Sequence, residues 1–142
     1  MLPFGSLAGS IALLSVTFFQ ATTIGVEDSE YARFQGTWKI VSVECGGKRD
    51  DQDIDKYTVK FRGTTMIFRQ CDGDDVVAVR YKLCNSDSSK RITFGGICGT
   101  YDFKDGNLLI CYSTSGERPV ELKTTTDRPE EVLMILKRIG QE

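Results

Sequence analysis

Apolar and polar side chains alternate with a period of two through most of the chain after residue 36. Side chains with this spacing point to opposite faces of a β-strand, and turn residues recur every 8–12 positions, which is typical of an all-β domain. Only residues 27–34 are compatible with a helical turn. The pattern predicts nine strands, at residues 37–45, 57–62, 65–71, 75–84, 90–95, 97–103, 107–113, 119–125 and 131–138.

The clearest turn is Asp105-Gly106, because both residue types tolerate the left-handed backbone that a two-residue hairpin needs. A tight turn there places Phe103 opposite Leu108. The same ladder then places Tyr101 opposite Ile110, so one face of this hairpin is apolar.

Each predicted hairpin keeps an apolar face in register with the next one. Closing such a sheet into a barrel covers the apolar face and removes the sheet edges, whereas a two-sheet sandwich is the competing solution. We expect a single antiparallel β-barrel of about eight to ten strands. A barrel of this width holds either packed side chains or a small ligand that Tyr hydroxyls orient. The candidate ligand-binding residues of its interior are Phe61, Phe68, Tyr81, Phe94, Tyr101, Phe103, Ile110 and Tyr112.

The beginning of the chain has a different composition. Residues 1–25 contain no charged side chain, and residues 7–19 are an apolar stretch that is too short for a membrane span of roughly 20 residues and typical of a signal-peptide core. Small side chains at Thr23 and Gly25 suit cleavage before Val26, and Ala21 marks a second candidate position. We expect residues 1–25 to be a cleaved signal peptide and residues 26–142 to be one domain that is secreted or resides in the periplasm or cell envelope. An uncleaved anchor and an additional buried element are the alternatives.

The chain contains no histidine among its 142 residues and has a net charge of −2. Without histidine there is no Ser-His-Asp or Cys-His nucleophile and no histidine-ligated zinc or haem. The charge balance gives no reason to expect a nucleic-acid partner. We therefore expect no enzyme activity, no cofactor and no metal site.

Five cysteines lie at positions 45, 71, 84, 98 and 111, so an exported chain can form at most two disulfides and keeps one thiol. Cys98 and Cys111 fall on the same face of one predicted hairpin as diagonal neighbours, roughly 7 Å apart. This spacing is at the limit of disulfide geometry, and the pair is our candidate bridge. Half-buried free thiols are the alternative.

The first predicted strand opens with Gly36-Thr37-Trp38, which resembles the G-x-W signature of lipocalins and related calycins. In that superfamily the Trp plugs the closed end of the barrel and an Arg late in the chain packs across its ring. Arg138 lies at the end of the last predicted strand with the parity of its inward-facing residues, so the resemblance implies that it contacts Trp38. The structural signature is therefore Gly36, Trp38 and Arg138.

Four segments in order resemble a narrower group: FQGTWKIVSVE, GTYDFKDGNLLICY, GERPVEL and EEVLMILKR, all within residues 34–138. They are similar to a family of small lipocalin-like proteins without an established activity, expanded in planctomycete bacteria. The resemblance implies a barrel that binds a small apolar or amphipathic ligand without catalysis. Arg118, within the third segment, is a candidate contact for an anionic ligand at the barrel mouth. The alternative is a filled barrel that acts as an interaction or inhibitor module with a protein partner in the cell envelope.

Overall fold

A computed structural model describes residues 29–71, 75–86 and 89–140. The predicted signal peptide and the predicted hairpin tip at residues 72–74 lie outside the described residues. Residues 29–34 are helical, which confirms the helical turn there, and they belong to a compact unit that ends at Phe34. A second unit, Gln35–Glu142, contains all of the strands. No helix in the described part of the chain has the length and apolar character needed to cross a membrane.

Eight antiparallel strands close into a barrel, as the sequence predicted, and one short strand is added at its edge. Neighbouring strands are consecutive along the chain, apart from the short β2, and the last strand pairs back onto the first. The two-residue β2 pairs only with the end of β1 and was not predicted. The strands are β1 (Gly36–Cys45), β2 (Lys48–Arg49), β3 (Tyr57–Arg62), β4 (Thr65–Gln70), β5 (Asp75–Ser86), β6 (Ser89–Phe94), β7 (Ile97–Lys104), β8 (Asn107–Ser113) and β9 (Glu131–Gly140).

The predicted registers are confirmed where a tight turn sets them. Phe103 lies opposite Leu108 and Tyr101 opposite Ile110. Asp105 and its neighbouring glycine both have positive φ, at 54° and 81°, as a two-residue hairpin turn requires. Because these registers hold, the alternating apolar residues of β3 to β9 share the inner face of the barrel.

Closure depends on the pairing of β1 with β9, in which Trp38 lies opposite Arg138 and Ile40 opposite Leu136. Trp38 is 1% exposed, and the Arg138 guanidinium carbon lies 4.3 Å from the centroid of its ring. A cation over an indole contributes about 0.5–2 kcal/mol. The contact that the G-x-W resemblance implied is therefore present, and it seals one end of the barrel.

Hydrogen bonds complete this closed end. The Gln35 side chain spans the β3–β4 turn, because its Oε1 accepts the Gly63 N–H at 2.7 Å and its Nε2 donates to the Gly63 carbonyl at 3.0 Å. The Tyr81 hydroxyl donates to the same carbonyl at 2.8 Å. Arg138 donates to the Gln35 carbonyl. These contacts tie the start of β1, the β3–β4 turn, β5 and β9 together beneath the indole.

The predicted strand at residues 119–125 is wrong, since residues 114–130 form an irregular segment without a strand. The segment lies on the outer face of the barrel wall, where the Thr100 hydroxyl donates to the Pro119 carbonyl at 2.6 Å. The Thr124 hydroxyl donates to Glu44 at 2.6 Å and accepts the Gly47 N–H at 2.9 Å. Pro119 and Thr124 are buried against the wall whereas Val120 is 81% exposed, so the alternation of residue types in this segment does not correspond to alternate burial.

We expect Trp38→Ala to destabilise the domain by about 3–5 kcal/mol, because it opens a cavity in the closed end and removes the ring that Arg138 covers. Chemical denaturation of the two proteins measures the difference in free energy of unfolding. A loss below about 1 kcal/mol would show that the indole does not seal the barrel.

Candidate functional site

The two ends of the barrel differ in what covers them. At the closed end the strands are joined by the short turns at residues 63–64 and 105–106, beside Trp38. At the other end, here called the open end, lie the hairpin turn at residues 95–96 and the longer connections at residues 46–56, 71–74 and 114–130. No large side chain comparable to Trp38 closes this end among the described residues.

Most inner-face residues beside Trp38 are buried, with Phe103 partly exposed, whereas several inner-face residues toward the open end are exposed. Toward the closed end Trp38, Phe61, Tyr101 and Leu136 are all at most 1% exposed. Toward the open end, Phe68 and Tyr112 are partly exposed although they continue the same inward-facing rows. Val77, opposite Phe68, is 46% exposed. The interior is therefore a packed core in one half and a solvent-accessible apolar cup in the other.

The three inward-facing tyrosines predicted as ligand contacts have different roles. The Tyr81 hydroxyl is bonded within the closed end, and the Tyr101 hydroxyl accepts a hydrogen bond from Asn85 Nδ2 at 2.9 Å. The Tyr112 hydroxyl has no hydrogen-bond partner within the described part of the chain. Its ring packs edge-on against Phe94 at 5.4 Å between centroids. Tyr112 is thus the residue of the three that can donate to a ligand.

Tyr112 and Cys45 lie close together in the cup. Burial is the main cause that raises the pKa of the Tyr112 hydroxyl, and the neighbouring Cys45 thiol adds to the effect. Burial likewise raises the pKa of Cys45, followed by the carboxylates of Asp50 and Glu44. Asp50 is held at this position because its N–H donates to the Val43 carbonyl at 2.7 Å. Both groups are therefore neutral hydrogen-bonding groups near pH 7.

A cavity of about 340 Å³ lies at the rim of the open end. Tyr57 and Gln70 form the last pair of the β3–β4 ladder and line it together with Asp55, Lys56 and Cys71. The Cys71 thiol donates to the Asp55 carbonyl at 3.1 Å, which fastens the end of β4 to the preceding loop. The inward-facing rows thus continue from the cup into this rim cavity.

The predicted ligand-binding residues divide between the two halves. Phe61, Tyr81, Tyr101 and Ile110 belong to the packed closed half. Phe103 lies at the same end, 6.2 Å from Trp38 between ring centroids, and is partly exposed. Phe68, Phe94 and Tyr112 line the cup.

Sequence reasoning missed four residues of the open end: Cys45, Tyr57, Gln70 and Val132. For all of them except Cys45, the alternation of inward- and outward-facing positions along the strand predicts that the side chain faces inward. Cys45 follows an irregularity in β1 that shifts this alternation.

Arg118 holds the irregular segment to the wall. Its guanidinium donates to the main-chain carbonyl of Ile92 at 3.1 Å and to that of Gly99. Gly99 itself is required by the close approach of β8, since a Cβ there would lie 2.9 Å from the Cys111 carbonyl oxygen. Arg118 thus holds two main-chain carbonyls of the wall, and its predicted contact with an anionic ligand stays a prediction.

The predicted disulfide between Cys98 and Cys111 is not formed, and all five cysteines are free thiols. Cys98 lies opposite Ser113, and Cys111 lies opposite Thr100, so the two are diagonal neighbours as expected. Cys111 is fully buried beneath the irregular segment, and its Sγ lies 3.8 Å from the Lys123 carbonyl oxygen. This side chain packs against the segment instead of bonding to the other thiol.

A second cavity, of about 260 Å³, lies outside the barrel between the irregular segment and the start of β9. Its buried Glu131 forms an ion pair with Arg128 at 3.3 Å, and the exposed Glu121 and Lys123 lie 3.5 Å apart. Opposite charges are therefore already matched there. The described residues contain no group of three or more Cys, Asp or Glu side chains placed to hold a metal ion.

The chain matches no family model and no curated protein. The inference of function therefore starts from the chemistry of the cup and its rim.

We expect the stability that Cys111 contributes to fall between about pH 9 and pH 11. Burial is the main cause that raises the pKa of its thiol from 9.0 to about 11, so above pH 9 the unfolded chain loses this proton before the folded chain does. The loss amounts to about 2–3 kcal/mol.

The measurement is the free energy of unfolding of the protein and of Cys111→Ala across this range, with a reductant present. The advantage of the native protein should shrink as the pH rises. An advantage that stays constant to pH 11 would contradict burial of the thiol.

Proposed function

We propose that this protein is an exported, non-catalytic binding protein that holds a small apolar or amphipathic ligand in the open half of a lipocalin-like barrel. The single observation that carries the proposal is the exposure of inward-facing apolar residues at one end of a barrel that is sealed at the other. Phe68, Val77 and Tyr112 belong to the inner rows yet remain accessible.

Covering the apolar surface inside the cup with a ligand is favourable because it removes that surface from water. Burying about 200 Å² of apolar surface in total is worth about 5 kcal/mol before the cost of association is subtracted. Tyr112 adds a hydrogen-bond donor beside this surface, and Tyr57 and Gln70 add polar groups at the rim. Mostly apolar walls with a few polar groups are typical of small-molecule sites.

The sequence resemblance supports the same proposal. The Gly36-Thr37-Trp38 signature opens β1, and the late Arg138 packs on the Trp38 ring. We propose on this basis that the chain belongs with the small lipocalin-like proteins that it resembles, and that residues 1–25 direct its export.

A second candidate function is docking of a protein partner in the cell envelope, favoured by the start of β5. Residues 75–79 pair with β4 on one side, whereas the pairing of β5 with β6 begins only at Tyr81. Val76 and Val77 are 51% and 46% exposed in this stretch. A strand edge that no described strand covers can accept an extended peptide as an additional strand.

The binding proposal is tested with the uncharged fluorescent probe N-phenyl-1-naphthylamine. Val132 lies opposite Cys45 and Tyr112 at the open end, so Val132→Trp should fill the cup and weaken binding of the probe by at least about tenfold, which is about 1.4 kcal/mol. Ile139, on the same strand, is 57% exposed, and Ile139→Trp is the matched control that should leave binding unchanged.

The outcome separates the two candidates. Circular dichroism and thermal melting establish that each variant is folded. If the probe does not bind the native protein, or if both Trp variants bind it equally, the ligand proposal fails. Retention of a strand-forming peptide partner without probe binding would favour docking at β5.

Export is tested by expressing the full chain in a secreting bacterial host and sequencing the N-terminus of the recovered protein. We expect Val26 as the first residue, because Thr23 and Gly25 supply the small side chains that signal peptidase requires. Recovery of the uncleaved chain in the cytosol alone would contradict export.

A further inference from the structure

The wall of the cup contains no charged side chain among the described residues. The inward-facing positions of its open half carry apolar, aromatic, thiol, amide and hydroxyl groups. A ligand with a charged head must therefore place that head at the rim. These inward-facing residues are Val43, Cys45, Tyr57, Phe68, Gln70, Val77, Val79, Ile97, Tyr112 and Val132.

The rim is acidic. The described residues of the connections at the open end, 46–56, 71, 95–96 and 114–130, contain eight acidic and six basic residues, a net charge of −2. All described residues together contain 14 acidic and 18 basic residues, a net charge of +4, so the remaining described residues are strongly net positive. The acidity is a property of this end and does not simply follow from the overall composition.

Most of the cationic side chains nearest to the cup are paired with carboxylates. Arg49 pairs with Asp51 at 2.7 Å, and Lys56 pairs with Asp53 at 3.0 Å, which leaves Lys48, exposed on β2, as the remaining cation of residues 46–56. Two exposed carboxylates of the same connection lie near inward-facing residues of the open end. Asp50 is close enough to the inward-facing Cys45 to act on it electrostatically, and Asp55 lines the rim cavity beside Tyr57.

Aromatic rings accompany these carboxylates. Tyr57 lies with Asp55 in the rim cavity, Phe68 lies one inward-facing position below Gln70, and Tyr112 and Phe94 form an edge-to-face pair. Carboxylates together with the faces of aromatic rings attract an alkylammonium group, whereas both repel a carboxylate or a sulfate. The apolar cup beneath them suits an alkyl chain.

We infer that the open end selects an amphiphile with a cationic ammonium head, which sits between the rim carboxylates of Asp50 and Asp55 while its apolar tail occupies the cup. This inference rests on the proposed function and adds the charge of the ligand to it. Anionic amphiphiles such as fatty acids are disfavoured at the same site.

The experiment compares three amphiphiles that share a twelve-carbon chain: dodecyltrimethylammonium, dodecyl maltoside and dodecanoate. Each is used as a monomer, below its micelle concentration, to displace N-phenyl-1-naphthylamine from the full-length or mature protein. We expect the ammonium compound to bind at least about tenfold more tightly than dodecanoate at low salt. The ratio should shrink as salt is added, because surface charges are screened within about 10 Å at 0.1 M.

Matched variants show which carboxylates cause the preference for the ammonium compound. The double variant Asp50→Asn/Asp55→Asn should reduce the ratio of the affinity for the ammonium compound to that for dodecanoate at least about threefold. Its affinity for dodecyl maltoside should be unchanged. Asp105→Asn removes one carboxylate at the closed end, where Asn tolerates the φ of 54°, and should leave the ratio unchanged. Val132→Trp should weaken all three compounds, which establishes that the cup is the site.

Failure of this inference and failure of the proposed function are distinguishable. If neither the probe nor any of the three compounds binds, the proposed function is overturned. If the probe binds but dodecanoate equals or exceeds the ammonium compound, the charge preference alone is overturned. If the preference is unaffected by the rim variant, or falls equally in Asp105→Asn, it comes from the general acidity of the protein and the rim assignment is overturned.

Discussion

The barrel depends on the pairing of its last strand with its first, and the cation–indole contact of Arg138 with Trp38 lies at that seam. Arg138 approaches the ring and also donates to the Gln35 carbonyl, so one side chain joins the end of β9 to the beginning of β1. The two strands stay paired from Thr37 to Cys45, so the seam continues from the closed end to the open end. The sealed half provides stability, and the open half is free to expose apolar residues.

The hairpin registers could be predicted from the sequence because they are local. The turn at Asp105 fixes which residues face inward in β7 and β8 without information from the rest of the chain. Residues 119–125 could not be predicted in the same way, because their contacts with the outer wall are made with residues distant in the sequence, such as that of the Pro119 carbonyl with Thr100, and do not follow the alternation of residue types. The two-residue β2 is too short to have a periodicity of its own.

The candidate site could be predicted only in part. The alternation of inward- and outward-facing positions identified the residues of the inner face, including Phe68 and Tyr112. It does not show at which height along the barrel axis the interior stops being packed. That height depends on the volumes of side chains from all eight strands. The partners of Tyr81 and Tyr101 come from Gly63 and Asn85, which are 18 and 16 residues away, so only the structure distinguishes these bonded tyrosines from Tyr112.

The long strand β5 changes neighbours along its length, from β4 over residues 75–80 to β6 over residues 81–86. Among the described residues, the wall therefore has a lateral gap next to Val76 and Val77, in addition to its axial opening. A ligand of the kind proposed could extend sideways through this gap while its other end stays in the cup. The depth of the cup would then not limit the length of the ligand.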